Sequence, residues 1–284
     1  MLRYHAGPHR CHRAGGAAAG ATLAQAPVVL PRDRLSVWGG VGRWQRVSSV
    51  LVLAVLLGCA SGPDRRPETP VSGLLQTPVG SEPWTPLAWP GKKNVAFEPV
   101  EHLGRSALRV RADRSMSILR QRLVDQPVTP DQIEFSWAVN GVFKRADIGV
   151  SGRDDAPVRV VLAFDGDRSK LSSRARMQSE LSRAVLGEDM PYATLTYVWC
   201  NARPAGTVLV SPRTDRVRKI VVESGAAHVG QWLEYRRDIR ADFRLAFGED
   251  PGPLIGVALM TDADNTGERV TAWYGRLRLT AQQP

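Results

Sequence analysis

The stretch LIGVALMTDADNTGERVTAWYGRLRL, residues 254–279, contains the pattern that decides the fold. Residues 254–261 form an almost continuous apolar run, which is typical of a strand buried on both faces. A turn rich in Asp, Asn and Gly follows this run. Residues 269–279 are then rich in β-branched and aromatic residues, as strands are. The stretch therefore predicts two strands joined by a polar turn.

The same texture extends over the chain from Trp84 onward. Short apolar runs recur at roughly ten-residue spacing, divided by Gly, Pro, Asn and Asp, which is the pattern of an all-β sandwich or barrel. Apolar residues at helical spacing predict two helices, at 170–186 and about 240–247. The predicted strands are 95–101, 107–112, 117–122, 132–139, 157–164, 194–199, 207–210, 217–223, 232–239, 254–261 and 269–279.

An apolar run near the N-terminus predicts a targeting signal. Residues 47–57, VSSVLVLAVLL, follow Arg43 and Arg46. This run is too short for a permanent membrane helix and has the flanks of a signal peptide. The sequence LLGC at 56–59 resembles the lipobox of bacterial lipoproteins, which implies cleavage before Cys59 and lipid attachment to its thiol. The alternative is an ordinary secretory signal that leaves this cysteine as a free thiol.

The signal sets the expected domain organisation. We expect residues 1–40 to be an extension from a mis-set start codon and 41–58 to be the signal peptide. Residues 59–83 are then the lipidated cysteine with a flexible tether, and 84–281 the folded domain. Ala60 stands where an inner-membrane retention signal typically has Asp. The resemblance therefore implies a lipid-anchored cell-envelope protein in the outer membrane, facing the periplasm.

The net charge of +10 at first suggests nucleic acid or an anionic membrane as a partner. Removal of residues 1–58 takes away seven arginines and one aspartate, which leaves 31 basic and 27 acidic residues. The remaining excess is too small for nucleic-acid binding, and export argues against it as well. The expected partners are a membrane, through the lipid anchor, and a glycan or another envelope polymer.

Five phrases in the second half of the chain carry a resemblance to a known family. They are AFDGDRSKLSSR (163–174), MPYATLTYVWCN (190–201), TDRVRKIVVESG (214–225), GQWLEYRRDIRADFRLAFGEDP (230–251) and ALMTDADNTGERVTAWYG (258–275). Together they resemble DUF3047, a bacterial family without an assigned activity, over residues 84–280. The resemblance implies a mainly β fold: a single antiparallel β-sandwich, jelly-roll-like, with one or two short helices packed at its side. Residues 137–155 depart from the family pattern, and the family supplies no catalytic residue.

Tryptophan is the compositional signal that survives removal of the signal peptide, with six of the eight residues retained. On a sheet face such rings stack against sugars, while neighbouring polar groups bind the hydroxyls. The alternative for each ring is a place in the core. The candidate ligand-binding residues are Trp137, Trp199, Trp232, Trp273, Tyr197 and Glu223.

Two acidic loops follow predicted strands, DGD at 165–167 and DADNTG at 262–267. Alternating carboxylate and amide oxygens on a glycine-containing loop suit Ca²⁺. The alternative is that these side chains only form the turns. We expect no obligatory cofactor. Calcium is the candidate ion, and its candidate ligands are Asp165, Asp167, Asp262, Asp264 and Asn265.

Signals for catalysis are weak. Glycoside hydrolysis needs two facing carboxylates, but nothing in the sequence pairs Glu134, Glu223 or Glu234. Cys200 and Ser224 lack the surroundings of a nucleophile. The favoured function is a non-enzymatic, carbohydrate-binding β-sandwich. The alternatives are a polysaccharide-acting enzyme with paired carboxylates and a structural or partner-binding envelope protein.

Overall fold

The computed structural model describes residues 71–77, 82–123 and 128–282. The predicted extension, the signal peptide and Cys59 lie outside these residues. In chain order the elements are α1 (Val71–Leu74), β1 (Leu75–Gln76), β2 (Thr85–Leu87), β3 (Glu98–His102), β4 (Arg105–Asp113), β5 (Met116–Arg122), β6 (Thr129–Val139), β7 (Ala156–Phe164), a 3-10 turn (Arg168–Lys170), α2 (Ser173–Leu186), β8 (Ala193–Cys200), β9 (Val208–Val210), β10 (Val217–Ser224), β11 (Leu233–Asp238), α3 (Ile239–Phe247), β12 (Leu254–Asp262) and β13 (Arg269–Gln282).

The strands form two sheets, which confirms the predicted β-sandwich. Sheet A has the strand order β11-β6-β13-β4-β3, with β1 added beside β13, and sheet B has the order β2-β5-β12-β7-β8-β10-β9. Pairing is antiparallel except at two places, where β1 joins β13 and β8 joins β10 in parallel. These two parallel pairs were not predicted, and every other pair is antiparallel as expected.

All eleven predicted strands are present, and two short ones were not predicted. Leu75 of β1 pairs with Leu277 of β13 and is buried. The predicted tether, 59–83, therefore includes a segment that is part of the sandwich. The short strand β2 pairs with β5 and forms one edge of sheet B. Both segments are too short to show a strand period, so their place depends on the edges they meet.

The core lies between the two sheets, and the sequence pattern explains which residues enter it. In β4, Leu108 and Val110 are buried while Arg109 and Arg111 lie on the other face. The central strands β7 and β8 are buried along nearly their whole length. The core includes the large side chains Trp137, Trp199, Tyr197, Tyr274, Phe143, Phe164 and Phe243.

Two helices pack at the side of the sandwich, as predicted. Ser172 caps α2 and Asp238 caps α3, each accepting a hydrogen bond from a backbone N–H of the first turn. Both helices end at a left-handed glycine, Gly187 or Gly248. Phe243 of α3 is fully buried. In the described part of the chain, no helix combines the length and hydrophobicity needed to cross a membrane.

One buried hydroxyl ties the two sheets together. Tyr274 of β13 donates a hydrogen bond to the carbonyl of Met260 at 2.6 Å and accepts one from the backbone N–H of Arg159 at 3.3 Å. Its oxygen also lies 2.9 Å from the hydroxyl of Thr261. The three partners belong to β7 and β12 of sheet B. The strand that contacts the groove described below is therefore fixed through the core.

Removing this hydroxyl tests how much it stabilises the sandwich. We expect Tyr274→Phe to lower the free energy of unfolding by about 1–3 kcal/mol, because it leaves buried polar partners unsatisfied. Urea unfolding measures this difference. Tyr192→Phe is the matched control, since its hydroxyl bonds only to the partly exposed Glu249, and its effect should be smaller. Equal losses for the two variants would contradict the role given to Tyr274.

Candidate functional site

Two of the predicted tryptophans lie on the outward face of sheet A. Trp273 of β13 is half-buried, whereas its neighbours Ala272 and Tyr274 point into the core. Leu233 of β11 faces a core residue of β6, so Trp232 before it faces outward. Both rings therefore lie on the sheet surface, and their contact with a ligand stays a prediction.

The next outward position of β13 is Gly275, and only glycine fits there. A β-carbon on this residue would collide with Ser136 Oγ and come within 2.9 Å of the Trp232 ring. The indole of Trp232 therefore lies directly against the backbone of β13. Because Gly275 has no side chain, the indole ring of Trp232 can lie across the strand at this position.

The β3–β4 hairpin separates from β13 at the same point. The last pair between β4 and β13 is Leu108 with Tyr274, and from Leu277 onward β13 pairs with β1 instead. The freed hairpin tip folds against the outward face. There the imidazole of His102 stacks on Trp273, with ring centroids 3.7 Å apart and planes within 4° of parallel.

Further contacts fasten the hairpin tip. The indole Nε1–H of Trp232 donates to the carbonyl of His102 at 3.1 Å. Arg105 lies 5.7 Å from the ring centroid of Trp232 and forms an ion pair with Glu234 of β11. Burial lowers the pKa of His102, so its ring is neutral at pH 7. Two tryptophans, a neutral imidazole and an arginine thus form one cluster.

A groove of about 600 Å³ adjoins this cluster. Residues of α1, the hairpin tip and strands β6, β11 and β13 surround it. Its surface is small and polar at Ser106, Ser136 and Gly275. The charged side chains that line it are Arg105, Glu134, Glu234, Arg236 and Arg276. A groove of this size with many hydrogen-bonding groups suits a ligand rich in hydroxyl groups.

The groove brings two carboxylates onto one face. Glu134 pairs in register with Arg236, and Glu234 pairs with Ser136, so the glutamates are diagonal neighbours on β6 and β11. Each has an arginine partner: Arg236 lies 3.8 Å from Glu134, and Arg105 binds Glu234. Both side chains are exposed, at 39% and 68%. Paired with guanidinium groups in this way, they are better placed to bind a ligand than to transfer a proton.

Three of the predicted ligand-binding residues are wrong. Trp137, Trp199 and Tyr197 are fully buried in the core. The Trp199 indole donates to the carbonyl of Gly225 at 2.9 Å, and the Tyr197 hydroxyl donates to Asp242 at 2.9 Å. These side chains stabilise the sandwich, because the face of each strand they occupy is the inner one.

The carboxylate of Glu223 is also occupied by contacts within the protein. It lies on β10 of sheet B, so it is not part of the outward face of sheet A. Its carboxylate accepts a hydrogen bond from the Tyr235 hydroxyl at 3.0 Å and lies 3.2 Å from Nδ1 of His228. The sequence prediction of a ligand contact for this residue is not supported by this position.

The two acidic loops lie at opposite ends of sheet B. Strands β7 and β12 are antiparallel, and Asp262 pairs with Ala156 at the start of β7, while Asp165 follows the end of β7. Asp167 caps the 3-10 turn by accepting from the N–H of Ser169 at 3.0 Å. The five predicted calcium ligands therefore do not form one site, and the first loop has the turn-forming role.

The second loop does form a carboxylate cluster, with a residue that was not predicted. Carboxylate oxygens of Asp155, Asp262 and Asp264 lie within 4.8 Å of one another. The oxygens of Asp155 already accept four hydrogen bonds, from the N–H and Nδ2 of Asn265 and from the N–H and hydroxyl of Thr266. Asp155 thus holds the loop in place.

Basic side chains form ion pairs with the other two carboxylates, those of Asp262 and Asp264. Arg159 lies 3.4 Å from Asp262, and Lys92 lies 2.7 Å from Asp264. Oδ1 of Asp262 is buried without a hydrogen-bond partner, whereas the buried Oδ2 of Asp264 has Lys92 as its ion-pair partner. Burial, with help from Asp155 and the other aspartates, raises the pKa of Asp262 to about 6. The residues fit a buried ion-pair network better than a calcium site.

This network makes stability depend on pH. Because the pKa of Asp262 is higher in the folded protein than its ordinary 3.8, the free energy of unfolding falls as the pH rises through 6. Asp262→Asn removes this penalty. We expect its stabilising effect to be greater at pH 7.5 than at pH 4.5 by about 2 kcal/mol, measured by urea unfolding.

The exposed Asp215→Asn is the control and should show no such dependence. EDTA and millimolar calcium should give the wild type the same melting temperature, because Lys92 and Arg159 already supply positive charge. A rise with calcium that Asp262→Asn abolishes would contradict the ion-pair interpretation and establish a cation site.

Several groove residues were not singled out from the sequence as ligand contacts. Arg105 and Arg276 resemble any other solvated arginine of a strand. Gly275 carried a readable signal, since a glycine inside a strand indicates a bulge or a close approach. What it approaches depends on contacts between strands far apart in sequence.

A family model described as "Protein of unknown function (DUF3047)" matches residues 82–278. No curated protein sequence matches the chain. Among solved structures, the chain is similar to SGBP-B from a complex xyloglucan utilization locus in Bacteroides uniformis, with 12% identity over 62% of this chain and a TM-score of 0.27. The chain covers 40% of the length of that protein.

Two further solved structures are similar to the chain. One is the xyloglucanase domain of NopAA, a type three effector from Sinorhizobium fredii, with 9% identity over 73% of this chain and 99% of that domain and a TM-score of 0.37. The other is a non-crystalline cellulose specific carbohydrate-binding module, CBM28, with 12% identity over 64% of this chain and 79% of the module and a TM-score of 0.29.

Proposed function

This chain belongs to the DUF3047 family, and we propose that it is a non-enzymatic glycan-binding protein of the cell envelope. The observation that carries the proposal is the groove on the outward face of sheet A, which adjoins the outward-facing rings of Trp232 and Trp273. Its polar groups can bind sugar hydroxyls, and the rings of Trp232 and Trp273, each only partly buried, lie beside it.

Rigid surroundings support this role. The hairpin tip, α1 and three strands of sheet A form the walls of the groove, and β13 is tied to sheet B through Tyr274. A ligand that enters therefore meets groups that are already held in position. Such preorganisation reduces the entropic cost of binding.

The second part of the proposal concerns location. The lipobox-like sequence at 56–59 supports cleavage before Cys59 and attachment of lipid to this residue. Ala60 supports transfer to the outer membrane, with the sandwich facing the periplasm. The lipid would hold the groove near envelope polysaccharides, which are the glycans within its reach.

A second candidate function, hydrolysis of a polysaccharide, has one observation in its favour. Glu134 and Glu234 lie on the same face as diagonal neighbours. The Cα separation of such neighbours is about 7–8 Å, and glycosidases hold two carboxyl groups at comparable distances. The arginine partners of both glutamates make binding the better supported function.

A glycan array probed with the full-length chain in detergent tests the binding proposal. We expect binding to at least one glycan, and Trp273→Ala should weaken it at least tenfold, because a buried aromatic contact often contributes more than 1.4 kcal/mol. Trp89→Ala is the matched control, since Trp89 is 44% exposed and follows β2 of sheet B, outside the cluster that Trp273 forms with His102.

Absence of binding to every glycan on the array, or an equal loss of affinity in the two variants, would count against the proposal. The bound glycan is then incubated with the protein and assayed for new reducing ends. Their release by the wild type, and its loss in both Glu134→Gln and Glu234→Gln, would favour the enzyme instead.

Mass spectrometry of the N-terminal peptide of the mature protein tests the anchor. We expect a peptide that begins at Cys59 and carries acyl chains, because the lipobox cysteine becomes the first residue after cleavage. Cys59→Ser should abolish the acylation, and Cys200→Ser should not. An intact peptide from residues 1–40 would show that the chain is not processed in this way.

A further inference from the structure

The groove contains more arginine than carboxylate. Arg105, Arg236 and Arg276 line it, against Glu134 and Glu234. Arg278 adds to this excess, because it faces Glu134 directly in the β13–β6 register. These residues together supply four guanidinium groups and two carboxylates.

Two of these arginines have no acidic partner in the described part of the chain. Arg105 and Arg236 bind glutamates, as described above. Arg276 reaches only the side-chain oxygen of Gln76, at 3.5 Å, and Arg278 forms no ion pair within 4.0 Å of a described carboxylate. Both side chains are exposed, and the buried Leu277 between them shows that both point outward.

From this arrangement we infer that the glycan taken by the groove is acidic, with carboxylate groups that pair with Arg276 and Arg278. This inference rests on the proposed glycan-binding function and names its ligand class. A guanidinium group presents two parallel N–H donors that match the two oxygens of a carboxylate. A neutral sugar offers these arginines only hydroxyl groups.

The spacing of the two arginines suits a polymer. Residues two apart on a strand place their side chains roughly 6–7 Å apart on one face. A chain of uronate sugars presents carboxylates repeatedly along its length, so neighbouring units can meet both arginines. Arg276 lines the groove, whose volume of about 600 Å³ can hold sugar rings beside the two arginines.

The test compares acidic polysaccharides with the same chains in neutral form. The probes are polygalacturonate, alginate and hyaluronan, each beside its methyl-esterified form, and a sulfated glycan serves as a separate arm. Full-length protein in detergent is measured by calorimetry at low and at high salt. We expect at least one carboxylated chain to bind tenfold or more tightly than its ester, and this difference should shrink in high salt.

Variants test whether the preference for the acidic chain over its ester depends on Arg276 and Arg278. The double variant Arg276→Gln with Arg278→Gln should reduce the ratio of the affinities for the acid and the ester to about one. Arg176→Gln, on the exposed surface of α2, is the matched control and should leave the preference unchanged. The melting temperature of each variant shows that the fold is intact.

The possible failures differ for the two proposals. Equal affinity for acid and ester, with loss of both in Trp273→Ala, would overturn the acidic class and keep the glycan-binding function. Tighter binding of the sulfated glycan than of every carboxylated chain would also overturn it. Absence of binding to all probes and to the glycan array would overturn both proposals.

Discussion

The outward face of sheet A depends on a single steric constraint, the absence of a side chain at Gly275. Ser136 and Trp232 fill the volume that a β-carbon would need. Because the indole lies against the backbone here, its N–H reaches the carbonyl of His102 and holds the hairpin tip in place. The aromatic cluster, the hairpin and the neighbouring groove are therefore one unit, and a larger residue at this position would disturb all three together.

Much of the fold could be predicted because strand alternation is a local property. Trp137 shares its parity with Ile133 and Phe135, which face the core, and Trp273 shares its parity with Arg269 and Thr271. The strand alternation therefore indicated that Trp137 faces the core and that Trp273 faces outward. Trp199 had no such signal, because nearly every residue of β8 is buried and alternation disappears in a strand covered on both sides.

The site was less predictable because it depends on which strand pairs with which. The hairpin tip reaches Trp273 only because β13 exchanges β4 for β1 beyond Tyr274, and β1 has too few residues to show a pattern. In the same way, Asp155 meets Asp262 through the antiparallel register of β7 and β12. Buried charges where such strands meet result from tertiary pairing, and no sequence motif marks them. One example is Lys219, whose pKa is lowered by burial to about 8.

The docking of β1 also limits where the groove can operate. Gly73 lines the groove and lies fourteen Cα–Cα steps along the chain from Cys59. A fully extended chain spans at most about 3.6 Å per residue, so this connection cannot exceed about 50 Å. If lipid holds Cys59 at a bilayer, the groove can reach only a thin layer above the membrane surface. Any ligand of the groove would then have to come within that distance of the membrane surface.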